Sequence, residues 1–208
     1  MSPMQPFTTL TGRAAPLMLA NVDTDVIVRI ERLTSEPRAA LGRFAFEALR
    51  YGGDGGEVGS FVLNRPEFRG APILLTGPNF GCGSSREGAV WALQGLGVRC
   101  VIAPSFGDIF FNNCFQNGVL PIRLGAEQVR SLALQAEHGG TFTVDLRACT
   151  LQAPDGAQTA FEVDRLHRES LLEGVDEIGL TLKHVDAIAA WQSADRAAHP
   201  WRWPSLSQ

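Results

Sequence analysis

The chain has 208 residues, 45% hydrophobic and 19% charged, with a formal net charge of −4. That suits one domain of ordinary to large size, or one with a small appendage, and the apolar share excludes wholesale disorder. No Lys/Arg cluster is present, which argues against nucleic-acid or anionic-membrane partners. No charged leader or apolar window of about eighteen residues predicts secretion or a membrane span, so the cytoplasm is the expected location.

In chain order, residues 7–20 read as a short strand or loop, broken by Gly12 and Pro16. Asn21-Val22-Asp23-Thr24-Asp25 leads into the β-branched run Val26-Ile27-Val28, which reads as a short strand. Over residues 34–50, Leu41, Phe44, Ala45 and Leu49 fall near helical spacing. Residues 51–60 hold five glycines and read as a flexible loop. A strand at 73–76, a helix at about 85–96 closed by Gly97, and a strand at 98–103 form a βαβ unit, so parallel pairing is expected. A Phe-rich helix follows at 106–115, then a strand at 120–124 and a helix at 126–138. Residues 142–146 and 159–163 flank Pro154-Asp155-Gly156 as a hairpin. Short helices at 167–173 and 183–192 precede a Trp- and Pro-bearing tail. The fold class is α/β, with a central, mostly parallel sheet flanked by helices.

The richest stretch is Asn79-Phe80-Gly81-Cys82-Gly83-Ser84-Ser85-Arg86-Glu87. It sets two serines and an arginine at the expected start of a helix after a strand, where free backbone N–H groups and the helix dipole favour anions. A cation there is opposed by the dipole, a conflict that an anionic ligand would remove. Ser84 reads either as a simple cap or as a group reaching into a cleft; as a base it needs its alkoxide stabilised by helix N–H groups and an arginine. Asp23 and Asp25 read as turn and cap residues or as ligands near one end of the sheet. The four histidines show no metal-pair spacing. Cys82, Cys100, Cys114 and Cys149 form no Cys-x-x-Cys pair, so neither disulfides nor a metal or iron–sulfur cluster held by this chain is expected.

Residues 21–25, 79–87, 101–108 and 178–190 together resemble the small subunits of isopropylmalate dehydratase, the swivel-domain partners in the aconitase superfamily. The resemblance implies a swivelling β/β/α domain over residues 1–192, with 193–208 as a C-terminal tail. It also implies a separate large subunit that holds a [4Fe-4S] cluster, and a small dicarboxylate substrate. The implied reaction interconverts 2- and 3-isopropylmalate through isopropylmaleate in leucine biosynthesis. Ser84 falls on the family's base, Arg86 on its carboxylate-binding arginine and Asp25 on the aspartate of its Thr-Asp turn. Thr24, Gly83 and Ser85 fall beside the substrate, and Arg29 and Ile30 in the segment entering the loop that recognises its side group. The glycine loop at 51–60 is expected to be mobile alone and to order against the large subunit.

Two departures bear on the substrate. Gly88 stands where the family has histidine, and a helical glycine costs about 1 kcal/mol relative to alanine. Arg29 stands where the family has proline. A related dehydratase acting on a citramalate- or homoaconitate-type acid, or a non-catalytic anion-binding module, are the alternatives.

Overall fold

The computed structural model describes residues 4–203. Seven strands form one sheet in the order β4-β3-β2-β1-β5-β6-β7, with β1 Thr9–Leu17, β2 Ile73–Thr76, β3 Cys100–Ala103, β4 Leu120–Arg123, β5 Thr141–Asp145, β6 Thr150–Gln152 and β7 Gln158–Ala160. The first four run parallel, and β5 to β7 extend the sheet antiparallel from β1. The helices are α1 Thr24–Ile27, α2 Ile30–Ser35, α3 Glu47–Arg50, α4 Glu87–Gly95, α5 Asp108–Gln116, α6 Ala126–Glu137, α7 Arg165–Glu173, α8 Glu177–Leu182 and α9 Val185–Ala198.

Successive residues of a strand point to opposite faces, so β2 and β3 feed two cores. Leu74 and Val101 pack with Ala89, Val90, Ala92 and Leu93 of α4 on one face. Ile73, Leu75, Cys100 and Ile102 pack with Val129, Leu132 and Ala136 of α6 on the other. Burial on both faces is why these strands are continuous apolar runs. The expected βαβ unit is present: β2, α4 and β3 follow in order, with β2 and β3 parallel.

Four local expectations are corrected. Residues 7–20, expected as a short strand or loop, hold the longest strand, β1 Thr9–Leu17, between short loop ends. Its polar first half, residues 9–13, pairs antiparallel with β5, and its buried second half, residues 14–17, pairs parallel with β2. Residues 26–28 are not a strand: the Asp23 carboxylate accepts from the Val26 N–H at 2.7 Å and starts α1, so capping overrides β-branched propensity. The Asp155-Gly156 turn is real, but it joins β7 to β6, which lies between β7 and β5. Residues 34–50 form a 3-10 helix, Arg38–Phe44, and then α3, with Phe46 left-handed (φ 54°) between them.

The C-terminal region also differs. The helix expected at 183–192 is α9, which runs past residue 193 to Ala198 in a segment rich in alanine, the best helix former, and α8, Glu177–Leu182, precedes it where no helix was expected. A 3-10 turn, Pro200–Arg202, follows; the rest of the expected tail, 204–208, lies outside the described residues. The glycine loop is tied by its own backbone, through Gly52 N–H to Gly56 C=O (2.8 Å), Gly55 N–H to Gly52 C=O (2.9 Å) and Val58 N–H to Arg50 C=O (2.8 Å), bonds that oppose the mobility its composition suggests.

Candidate functional site

Because β1, β2 and β3 run parallel, the loops leaving them emerge on one edge of the sheet, where open α/β folds gather ligands. Backbone groups stitch these loops together. Cys82 bridges to Asp23 and Phe80 to Phe106, both parallel. The Gly81 N–H donates to the Val22 carbonyl (2.7 Å), Thr24 N–H to Cys82 (3.0 Å) and Gly107 N–H to Phe80 (2.9 Å). Gly81 has φ 70°, and a Cβ there would sit 2.2 Å from Cγ of Phe110, so only glycine fits.

The stitched loops bring most of the expected residues together. The Thr24 side chain is buried and its hydroxyl donates to the Ser84 carbonyl at 2.9 Å. The Arg86 guanidinium is ion-paired with Asp25; the Arg86 side chain is 14% exposed and that of Asp25 53%. The hydrogen bond from Arg86 holds the Asp25 carboxyl below the usual carboxylate range. The Ile30 N–H and the Arg29 charge act in the same direction, so all four residues converge. Asp25 in turn raises the pKa of Arg86.

Gly83 (φ 89°), Ser84 and Ser85 are exposed, and no hydrogen bond of the Ser84 hydroxyl is present among the described residues. Arg29 is the exposed N-cap of α2, and Ile30 is its exposed first residue. One element is corrected: α4 starts at Glu87, so Ser84 and Ser85 lie in the preceding loop and Arg86 is the N-cap, with no capping hydrogen bond from its side chain. The clash between the arginine and the helix dipole is relieved within the chain, by Asp25.

Gly88 has a physical reason. A Cβ at this position would lie 2.3 Å from Cδ2 of Leu33, so the α2 side chain occupies the space a larger residue would fill. The two departures, Arg29 and Gly88, therefore lie on elements that touch. Leu33 carried no signal of this in the sequence. Nor did Asn117, which bonds to α4 from the end of α5, or Ser105, whose hydroxyl accepts from the Asn79 N–H at 2.8 Å.

Among the described residues no group of three or more His, Cys, Asp or Glu side chains could hold a metal ion. Cys100 and Cys114 are fully buried in apolar surroundings, and burial pushes both thiols up, away from the thiolate a cluster needs. Among the described residues, the cysteines do not offer the ligand set of an iron–sulfur cluster.

Comparison with known proteins covers nearly the whole chain. A family model described as the aconitase C-terminal domain matches residues 4–127. One described as LeuD_N matches residues 133–165, and one described as the C-terminal domain of the 3-isopropylmalate dehydratase small subunit matches residues 177–202. The 3-isopropylmalate dehydratase small subunits of Paramagnetospirillum magneticum and Dinoroseobacter shibae are each 52% identical over 200 residues, covering 95% of this chain and 100% of the relative. A crystal structure of 3-isopropylmalate dehydratase from Methanocaldococcus jannaschii is similar with a TM-score of 0.63 and 25% identity, over 90% of this chain and 99% of that one.

Proposed function

The chain belongs to the family of 3-isopropylmalate dehydratase small subunits, and from that premise we propose that it supplies one wall of a hydro-lyase interconverting 2- and 3-isopropylmalate through isopropylmaleate, in leucine biosynthesis. The observation that carries the site assignment is the Arg86–Asp25 pair beside the exposed Ser84, on loops stitched at one sheet edge. The alternative malates and the non-catalytic module are not favoured, because the relatives at 52% identity carry the dehydratase name.

Removing a proton beside a carboxylate builds negative charge on that carboxylate. Donors fixed in advance then stabilise the transition state more than the ground state. Arg86 offers a planar fork that grips a carboxylate through two bonds. Asp25 aims that fork. Ser84, exposed next to it, acts as an alkoxide stabilised by the Arg86 charge: it takes the substrate proton and becomes the hydroxyl, while the hydroxide lost from the neighbouring carbon would leave on the side that the large subunit covers. Gly83, Ser85 and Thr24 shape the ledge on which the carboxylate rests, and Arg29 and Ile30 lie at its rim toward the substrate's side group.

Ser84, Ser85, Gly83 and Asp25 all face solvent, so this ledge excludes water only when a second surface covers it. On this reading the large subunit supplies that surface and, with it, the [4Fe-4S] cluster. No helix among the described residues is long and apolar enough to cross a membrane, and the cytoplasm is the proposed location.

The test is hydration by the chain co-expressed anaerobically with its large subunit, offered isopropylmaleate and citraconate side by side while alkene absorbance is followed. Preferential consumption of isopropylmaleate is expected. Preference for citraconate would assign Arg29, Ile30 and the Leu33–Gly88 contact to a different substrate, and no turnover of either by an intact complex would overturn the reading.

A further inference from the structure

Asn117 lies outside every residue assigned so far, yet it gathers more polar contacts than any residue of the site. It is the buried C-cap of α5. Its Nδ2 donates to Glu87 Oε1 (2.9 Å) and to the Asn113 carbonyl (2.9 Å). Its Oδ1 accepts from Trp91 Nε1 (2.9 Å) and from an Arg38 Nη2 (3.0 Å). Its own carbonyl accepts from Gln94 Nε2. The side-chain amide thus makes all four bonds open to it. Glu87, Trp91 and Gln94 are spaced i, i+4 and i+7, a single face of α4. Arg38 closes the group from the other side, its guanidinium 4.6 Å from the Trp91 ring centroid.

Glu87 is the first residue of α4, directly after Arg86. We propose that Asn117 is a positioning residue: by clamping Glu87 and the face behind it, it fixes the rotation of α4 and so the placement of Arg86 and of Ser84, two residues earlier. The Arg86 side chain makes no cap bond to its own helix and is tied by its pair with Asp25, so its placement follows that of the α4 start, which core packing and this polar clamp set together. A small rotation at the helix start is felt in catalysis, because productive geometry tolerates little displacement. The inference rests on the reading of Ser84 and Arg86 as base and carboxylate anchor.

The test uses the reconstituted two-subunit enzyme and isopropylmaleate. Asn117→Asp keeps the acceptor for Trp91 and Arg38 but sets a carboxylate against Glu87. Roughly a tenfold loss in kcat/KM is expected, measured well below the melting temperature. Adding Glu87→Gln restores a donor facing the new carboxylate, and recovery of most of the loss is expected. Unchanged kcat/KM in Asn117→Asp, or a loss that Glu87→Gln fails to relieve, overturns the proposal. Should Asn117→Asp not fold, Glu87→Ala removes the same bond from the α4 side; the same loss supports the clamp and full activity overturns it. Arg86→Lys is the control: a wild-type enzyme that turns over while Arg86→Lys does not upholds the site reading whatever Asn117 does, and an inactive wild type sinks that reading instead.

Discussion

At the scale of single residues, the Arg86–Asp25 pair and Ser84 make separable predictions. Positioned bases contribute roughly 10²- to 10⁴-fold, so Ser84→Ala should lower kcat at least about a hundredfold while leaving assembly with the large subunit intact, as read by co-elution. Persistent turnover would reduce Ser84 to a structural turn residue. Asp25 makes a pH prediction. Its pKa is lowered in the folded chain, so the stability it contributes is fully present above its unfolded value near 3.9 and is lost as pH falls through the lower folded value. Asp25→Asn should therefore destabilise the chain slightly and uniformly across the neutral range. The difference from wild type should vanish in acid unfolding once pH has fallen through the lowered folded value; because Asp25 is half exposed, the effect is at the small end expected of surface pairs.

At the scale of elements, the contact between α2 and α4 is decided by two opposing terms. Alanine at 88 gains up to about 1 kcal/mol of helix propensity but drives a Cβ into Leu33, and overpacking costs about 1–3 kcal/mol. Gly88→Ala should lower stability in the native background and raise it in Leu33→Ala, a reversal of sign visible in urea unfolding. The sequence alone carried the β2–α4–β3 unit, because both strands are buried on two faces and read as unbroken apolar runs. It pointed to Ser84, Arg86 and Asp25 as candidates, because their motif resembles a family, and the fold brings their loops side by side. It did not carry β1, whose Gly12 and Pro16 look like breakers although the strand lies at the centre of the sheet. It missed α1, where one capping carboxylate outweighs Val26, Ile27 and Val28. Ion pairing between Arg86 and Asp25, and the convergence on Asn117, arise from segments far apart in the chain, and no local pattern encodes such meetings.

At the scale of the whole molecule, the two cores share β2 and β3, whose alternate residues serve opposite faces. Neither core can dissolve without stripping the strands from the other, so unfolding should be one cooperative transition. Leu74→Ala and Leu75→Ala, on opposite faces, should each shift that same transition by about 2–5 kcal/mol, and two resolved transitions in either variant would contradict a shared sheet. The stitching of the three loops has a further consequence. Their bonds run between main-chain amides and carbonyls, which nearly every residue type possesses, so the ledge keeps its shape while side chains around it change. If Arg29 and Ile30 line the substrate's side group as proposed, Arg29, Ile30, Leu33 and Gly88 form one cassette on this main-chain frame, and a small set of substitutions on α2 and α4 should retune which diacid is accepted while Ser84 and Arg86 stay in place.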